Sequence, residues 1–304
     1  MSLSQLHKPV LLDETLKAVS QHFDSNQKFT GIDGTFGRGG HSAALLNKFP
    51  LLKIIGLDQD QDAIDFAKDQ YTDLINAGRL EIVKTNFADQ DLIESSIKDT
   101  IHFVFLDIGV SSPQLDNAER GFSLYNDGPL DMRMDQNSGH QKASDVLNTY
   151  ETDNLRALFL KYGEVYASDR VLEQIEKFRS EKEFSTTLEF ANLIEKSCGW
   201  QKRGVHPATL YFQALRIYIN KELESLEKAL EYFTKKLQNG GVFAVITFHS
   251  LEDRIVKQFF KNNSLGKPVN KKVIKPTRDE ETKNKRSRSA KLRVFKKFEN
   301  EEMA

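Results

Sequence analysis

Cysteine is almost absent from this chain. Cys198 is the only one, so no internal disulfide can close and no cysteine-based metal cluster can form. That scarcity fits a reducing compartment, and the expected location is the cytoplasm. Long apolar runs are also missing. The longest lie near Ile101–Leu106 and Val242–Phe248, far short of the length needed to span a bilayer. Met1 to Pro9 lacks the apolar stretch of a signal peptide, so no membrane partner is expected. Internal repeats are lacking as well, which excludes solenoids and propellers. What remains is an ordinary globular composition, with 39% hydrophobic and 29% charged residues. At 304 residues the natural reading is one core with an insertion.

Net charge is nearly nil at -1, yet the two signs are separated. From Lys261 to Lys297 there are 14 Lys and Arg against three acids, so this stretch carries +11 and the rest of the chain -12. A basic segment on an acidic body points to a polyanion partner at one end, or to a merely solvated tail.

Along the chain, strands and helices alternate between residues 28 and 106. Phe29–Asp33, Lys53–Asp58, Leu80–Lys84 and Ile101–Asp107 read as strands, with helices at His41–Lys48, Asp60–Gln70 and Leu92–Lys98 between them. Continuous apolar strands alternating with helices predict a doubly wound, mainly parallel α/β sheet. Ser111 to Gly139 reads as a long ordered loop, and Ala143 to Ser197 as several helices without strands. The core pattern returns near His206. Thr209–Leu237 reads as one long helix, Asn239-Gly240-Gly241 as its stop, and Val242–Phe248 as a buried strand. Ser250 with Asp253 has capping-box spacing, and Lys271–Ile274 with Lys291–Phe298 could close the sheet as a hairpin. The expected domains are a core in two parts, 1–115 and 206–304, and an inserted loop plus helical domain, 116–205.

Six strand-end or loop motifs carry chemistry. Asp33-Gly34-Thr35-Phe36-Gly37-Arg38-Gly39-Gly40-His41 follows a strand and opens a helix. Its glycines let backbone approach a ligand, and helix-terminal N–H groups can meet an anion. The dinucleotide fingerprint fails at its third glycine, where Ser42 stands. An acid before Gly34, with Gly37 and Gly39 following, suits an S-adenosylmethionine loop better. Asp58 ends the second strand about 20 residues on, where a carboxylate accepts ribose hydroxyls; it could also be an ordinary strand-end acid. Phe87 could flank an adenine or simply fill the core. Asp107 ends the fourth strand and leads into Ile108-Gly109-Val110-Ser111-Ser112-Pro113-Gln114-Leu115-Asp116, where an amino-methyltransferase grips its target amine. Phe248-His249-Ser250-Leu251-Glu252-Asp253-Arg254 makes His249 a candidate substrate contact or a helix cap. Arg286, Arg288, Lys291 and Arg293, interleaved with serine, could pair with RNA phosphates. An exocyclic cytosine amine is a poor nucleophile, so positioning supplies most of the rate, and neither a metal nor a covalent nucleophile is required.

Further motifs complete a pattern: His7-Lys8-Pro9-Val10-Leu11-Leu12-x-Glu14, Glu119-Arg120-Gly121-Phe122-Ser123, Gly128-Pro129-Leu130-Asp131-Met132-Arg133-Met134-Asp135, Tyr162-Gly163-Glu164, His206-Pro207-Ala208-Thr209, Phe212-Gln213-Ala214-Leu215-Arg216-Ile217 and Asn220-Lys221-Glu222-Leu223. With the motifs above, they resemble the bacterial small-subunit rRNA cytosine-N4 methyltransferases over nearly the full chain. The resemblance implies a class I methyltransferase fold with a helical insertion. It implies S-adenosylmethionine contacts at Gly39, Gly40, His41, Asp58, Phe87, Asp107 and Gln114, to which the residue pattern adds Asp33 and Gly37. It implies S-adenosylhomocysteine as product, no metal, and a decoding-centre (P-site) cytidine of 16S rRNA as target, within the 30S subunit. Asp107 and His249 become the catalytic candidates. The chain could act as a monomer or a homodimer. Departures fall at Val165, Lys285 and Leu210-Tyr211, outside the cofactor set. Competing readings are a nicotinamide oxidoreductase, weakened by Ser42; a non-catalytic RNA-binding assembly factor, which has no need of the glycine loop with Asp58 and Asp107; and a DNA amino-methyltransferase, whose Pro-Pro motif is replaced here by Ile108-Gly109-Val110.

Overall fold

The computed structural model describes residues 8–198 and 206–299. His7 and the expected boundary at residue 205 lie outside the described residues. In chain order the elements are α1 (Leu12–Ser20), β1 (Phe29–Asp33), α2 (Gly40–Lys48), β2 (Leu52–Asp58), α3 (Gln61–Gln70), α4 (Thr72–Asn76), β3 (Leu80–Lys84), α5 (Gln90–Ser96) and β4 (Ile101–Asp107). Then come α6 (Ser112–Asp116), α7 (Ala143–Thr149), α8 (Thr152–Gly163), α9 (Asp169–Glu181), α10 (Thr187–Ser197) and α11 (Thr209–Asn220). The chain closes with α12 (Glu222–Lys236), β5 (Leu237–Thr247), α13 (Ser250–Asn262), β6 (Gly266–Pro268), α14 (Arg278–Lys283) and β7 (Lys291–Lys297). Two compact units result: residues 1–109 with 223–304, and residues 110–222. Residues 206–222, expected in the core's second part, fall in the helical unit.

The first unit is built on one sheet, ordered β3-β2-β1-β4-β5-β7-β6. The first five strands are parallel, while β7 runs antiparallel to both β5 and β6. This is the doubly wound, mainly parallel arrangement that the alternating apolar strands and helices predict, as the fold implied by the resemblance also requires. Every residue of β1 is buried, as a strand covered on both faces requires. One face carries Phe29, Ile54, Phe103, Phe105 and Leu292 against α1 and α2; the other carries Ile32, Ile55, Val104 and Val245 against α12 and α13. Parallel pairing in this register brings the carboxyl ends of β1, β2 and β4 to one edge, so that Asp33, Asp58 and Asp107 end neighbouring strands.

Four expectations need correction. The long helix over 209–237 is two helices, because Lys221 takes a left-handed conformation (φ 50°) between them. The apolar spacing continues across that break, so periodicity could not show it. Asn239-Gly240-Gly241 is not a helix stop but part of β5, where Gly240 (φ 77°) donates its N–H to Phe298 O at a register irregularity against β4. The helix after β5 is capped by His249 with Glu252, one residue earlier than Ser250 with Asp253, since an imidazole nitrogen can accept as a hydroxyl does. The closing hairpin partner of β7 is β6; Ile274 meets Leu292 in a single bridge.

The second unit is helical, around an aromatic core. Phe159 lies edge-on to Tyr211 (4.9 Å between ring centroids), and Phe190 stacks on Phe212 (5.6 Å). The polar stretch 111–139 is less irregular than expected, holding α6 and a 3-10 turn at Ala118–Arg120. Two of its glycines have no room for a side chain: a Cβ on Gly121 would stand 2.2 Å from Pro129 O, and one on Gly128 2.0 Å from Ala118 O. Asn220 ties the loop down by accepting the Met134 N–H (2.8 Å) and donating to Met132 O (2.8 Å). Among the described residues, no helix is long and apolar enough to cross a membrane.

Candidate functional site

The glycine loop between β1 and α2 is shaped by its own glycines. Gly37 and Gly39 have φ of 53° and 70°, and Gly39 caps α2. A Cβ on Gly39 would stand 2.5 Å from the Phe36 ring and 2.8 Å from Tyr71; one on Gly40 would stand 2.5 Å from Pro9. Carboxylates hold the loop from behind. Asp33 is buried and accepts from Ser42 Oγ (2.6 Å) and the Thr35 N–H (3.2 Å). Asp58 accepts the Gly37 N–H (2.7 Å) and the Asp60 N–H (2.9 Å), one on each oxygen. It also accepts from the Gln59 backbone, which leaves acceptor capacity for one further donor such as a ribose hydroxyl. Burial raises the pKa of Asp33 and of Asp58 to about 6. Phe87 packs partly buried beside Gly34, where a Cβ would lie 3.2 Å from its own Cβ.

Asp107 is held differently. Its backbone N–H donates to Thr35 Oγ1 (2.6 Å), tying the end of β4 to the loop. The side chain is 26% exposed, yet Oδ1 is sealed and has no hydrogen-bond partner. Burial first, then the charges of Asp33 and Glu252, push its pKa up to about 8. His41 lies alongside, buried on the Phe105 ring at 4.6 Å, with Nε2 3.0 Å from Val10 O and Nδ1 3.8 Å from Asp107 Oδ2. Burial lowers the His41 pKa to about 4, so the ring is neutral at pH 7.

Of the expected cofactor residues, Asp33, Gly37, Gly39, Gly40, His41, Asp58, Phe87 and Asp107 gather along the carboxyl edge of β1, β2 and β4. Gln114 belongs to the other unit, where it is buried and its side-chain oxygen accepts the Ser111 N–H (2.9 Å) in a capping box. His249 starts α13, with Nδ1 accepting the Glu252 N–H (3.5 Å) and Nε2 2.9 Å from Glu252 Oε1. It therefore caps a helix and faces a buried acid. Of the basic residues, Lys291 and Arg293 are both spoken for by Asp253, at 3.0 and 2.8 Å. Arg286 and Arg288 sit exposed on the 3-10 turn Lys285–Ser289, where Arg288 reaches Glu281 O at 3.4 Å. Sequence reasoning did not single out Thr35, Val10 or Glu280. Glu280 accepts the Leu11 N–H (2.7 Å) from 269 residues away, and a contact so remote leaves no local pattern. Thr35 stood inside the glycine motif, though its hydroxyl's role in receiving β4 was not visible.

The site suits a particular ligand. Three carboxyls with raised pKa values and no Lys or Arg beside them on one edge favour a cation, and Asp58 keeps acceptor capacity for a hydroxyl. No group of three or more His, Cys, Asp or Glu among the described residues is arranged to hold a metal ion.

The sequence profile of the MraW methylase family matches residues 4–298. A protein of Bdellovibrio bacteriovorus called Ribosomal RNA small subunit methyltransferase H is 47% identical, over 98% of this chain and 89% of its own length. A protein of the same name from Prochlorococcus marinus subsp. pastoris is 44% identical, over 95% of each chain. Among solved structures, an rRNA methylase from Streptococcus thermophilus covers 97% of this chain at 9% identity and a TM-score of 0.46. With a family profile covering almost the whole length and relatives above 40% identity, this chain belongs to the MraW methylase family.

Proposed function

We propose that this protein uses S-adenosylmethionine to methylate the exocyclic N4 amine of a decoding-centre cytidine in 16S rRNA, acting on the 30S subunit in the cytoplasm. The observation that carries the reading is the row Asp33, Asp58 and Asp107 at one sheet edge, with Asp107 Oδ1 buried and unpartnered. The name shared by the relatives supplies the RNA class. Bound there, the cofactor supplies an already activated methyl group.

The chain's residues do the rest. Gly39 and Gly40 present backbone at the start of α2 to the amino-acid end, where N–H groups favour a carboxylate. Asp58 receives the ribose hydroxyls, and Phe87 flanks the adenine. Asp107, its backbone N–H tied to Thr35, faces the sulfonium and takes a hydrogen bond from the incoming amine, which returns electron density to N4. His249 is the weaker catalytic candidate, since its ring is committed to the start of α13. Arg286 and Arg288 supply phosphate contacts.

The test is methyl transfer from labelled S-adenosylmethionine to small subunits from cells lacking this gene, with the product nucleoside identified by mass. N4-methylcytidine is expected. A methyl group on another base, or no incorporation into particles or free RNA, overturns the assignment.

A further inference from the structure

A carbonyl oxygen can only accept a hydrogen bond, and this settles the tautomer of His41. Val10 O lies 3.0 Å from Nε2, so Nε2 carries the proton. The ring is neutral, which leaves Nδ1 with a bare lone pair, 3.8 Å from Asp107 Oδ2. That separation is what two acceptors keep when no proton lies between them; a hydrogen bond would draw them about 1 Å closer. The ring cannot turn away freely. It is buried, lies on Phe105 at 4.6 Å, and its bonded carbonyl belongs to a segment pinned at both ends: Pro9 packs on Gly40, and the Leu11 N–H is held by Glu280 (2.7 Å).

We infer that His41 is a positioning residue for methyl transfer, with its Nδ1 lone pair placed to receive a hydrogen bond from Asp107 once that carboxyl has taken the proton released by the substrate amine. The inference rests on the reading of Asp107 above. The N4–C bond forms as the C–S bond breaks, and the C–S pair stays on sulfur. The nitrogen is left with one proton more than the product keeps, and Asp107 takes it. His41 stays neutral throughout: it stabilises the protonated acid and so makes the carboxylate a better base. The other charged groups acting on Asp107 are Asp33 on β1 and Glu252 on α13. Both are acids that favour the protonated form, and neither is altered by changing His41.

Two substitutions separate this role from a structural one. Gln at position 41 keeps a donor where Nε2 was, so it holds Val10 but leaves the Nδ1 position empty. Asn places an amide oxygen where Nδ1 was. Thermal unfolding of the unliganded protein from pH 5 to 9, with the Asp107→Asn curve subtracted, reads the pH at which Asp107 ionises. His41→Gln is expected to lower that pH by about one unit relative to the parent. His41→Asn should restore it, and the rate of methyl transfer to small subunits should follow the same order. An unchanged ionisation pH in His41→Gln, or equal shifts in both variants, overturns the inference. Because this readout uses neither RNA nor cofactor, its failure is separable from failure of the rRNA assignment.

Discussion

The helical unit and the carboxyl edge of the sheet treat buried charge in opposite ways. In the helical unit, Arg133 forks onto Asp131 through two bonds of 2.7 Å each, and Arg216 onto Glu222 at 2.8 and 2.9 Å. The Arg133 fork holds the Asp131 carboxyl below its ordinary range even though burial pulls the other way. In the sheet unit, Asp33, Asp58 and Asp107 are buried at the carboxyl edge with no Arg or Lys beside them among the described residues, and all three pKa values are raised. A fork completes a charge within the chain, so its acid holds a loop. An uncompleted acid costs stability until something positive arrives, so it marks a place for a ligand. S-adenosylmethionine brings two such charges, a sulfonium and an ammonium.

The sharpest break of this contrast is Asp107→Asn. Methyl transfer should fall by about 100-fold or more, as when a preorganised electrostatic group is removed. Stability should move the other way. A raised carboxyl pKa means that the folded state binds more protons than the unfolded state between pH 3.8 and about 8. The contribution of Asp107 to stability therefore falls as pH rises through that window. Replacing the acid with a neutral amide removes the loss, so the unliganded variant should melt several degrees higher at pH 8 and show little gain near pH 4. A variant less stable at pH 8 would count against the uncompleted-acid reading.

The same change in the other unit should do the reverse. Asp131→Ala leaves the Arg133 guanidinium, 14% exposed, without its fork, and half-removed buried pairs typically cost about 3 kcal/mol. Urea unfolding should show this loss at pH 7. A cost below about 1 kcal/mol would mean that the fork is no more than a surface pair.

A third test uses pH with the ligand present. A sulfonium beside Asp107 lowers its pKa, so cofactor binding releases a proton. Binding should then tighten as pH rises from 6.5 towards 8, by up to about 10-fold per pH unit where the carboxyl is still protonated. S-adenosylhomocysteine has a neutral sulfur and should show a much shallower dependence. Calorimetry across this range checks both, and parallel curves for the two ligands would remove Asp107 from the sulfonium's surroundings.

The sheet unit was legible because its information is local and repetitive: Leu80–Lys84 and Ile101–Asp107 match strand for strand, and Asp58 and Asp107 announce themselves by position at strand ends. The break at Lys221 was not legible, since Phe212, Leu215, Ile219, Leu226 and Leu230 keep helical spacing through it. Nor was the state of each acid. Nothing in the spelling of Asp107 and Asp253 says that one ends beside two other acids while the other meets Lys291 and Arg293, because those partners come from elements far apart in the chain. His41 entered through family resemblance; its tautomer follows only from the carbonyl of Val10.

The smallest expected effect concerns the basic segment, where the same contrast of completed and uncompleted charge applies. Lys291 and Arg293 pair with Asp253, whereas Arg288 is exposed and reaches a carbonyl at 3.4 Å. A charge already matched within the chain displaces few counterions from RNA; an unmatched one displaces about one. Arg288→Ala should therefore reduce the slope of log affinity against log salt by roughly 0.7 to 0.9 for RNA binding. Lys291→Ala should leave that slope nearly unchanged and instead cost up to about 1 kcal/mol of stability, because Arg293 still holds Asp253. Equal slope changes in the two variants would show that Lys291 leaves Asp253 for phosphate when RNA binds, making the pair a reserve of positive charge rather than a fixture of the sheet edge.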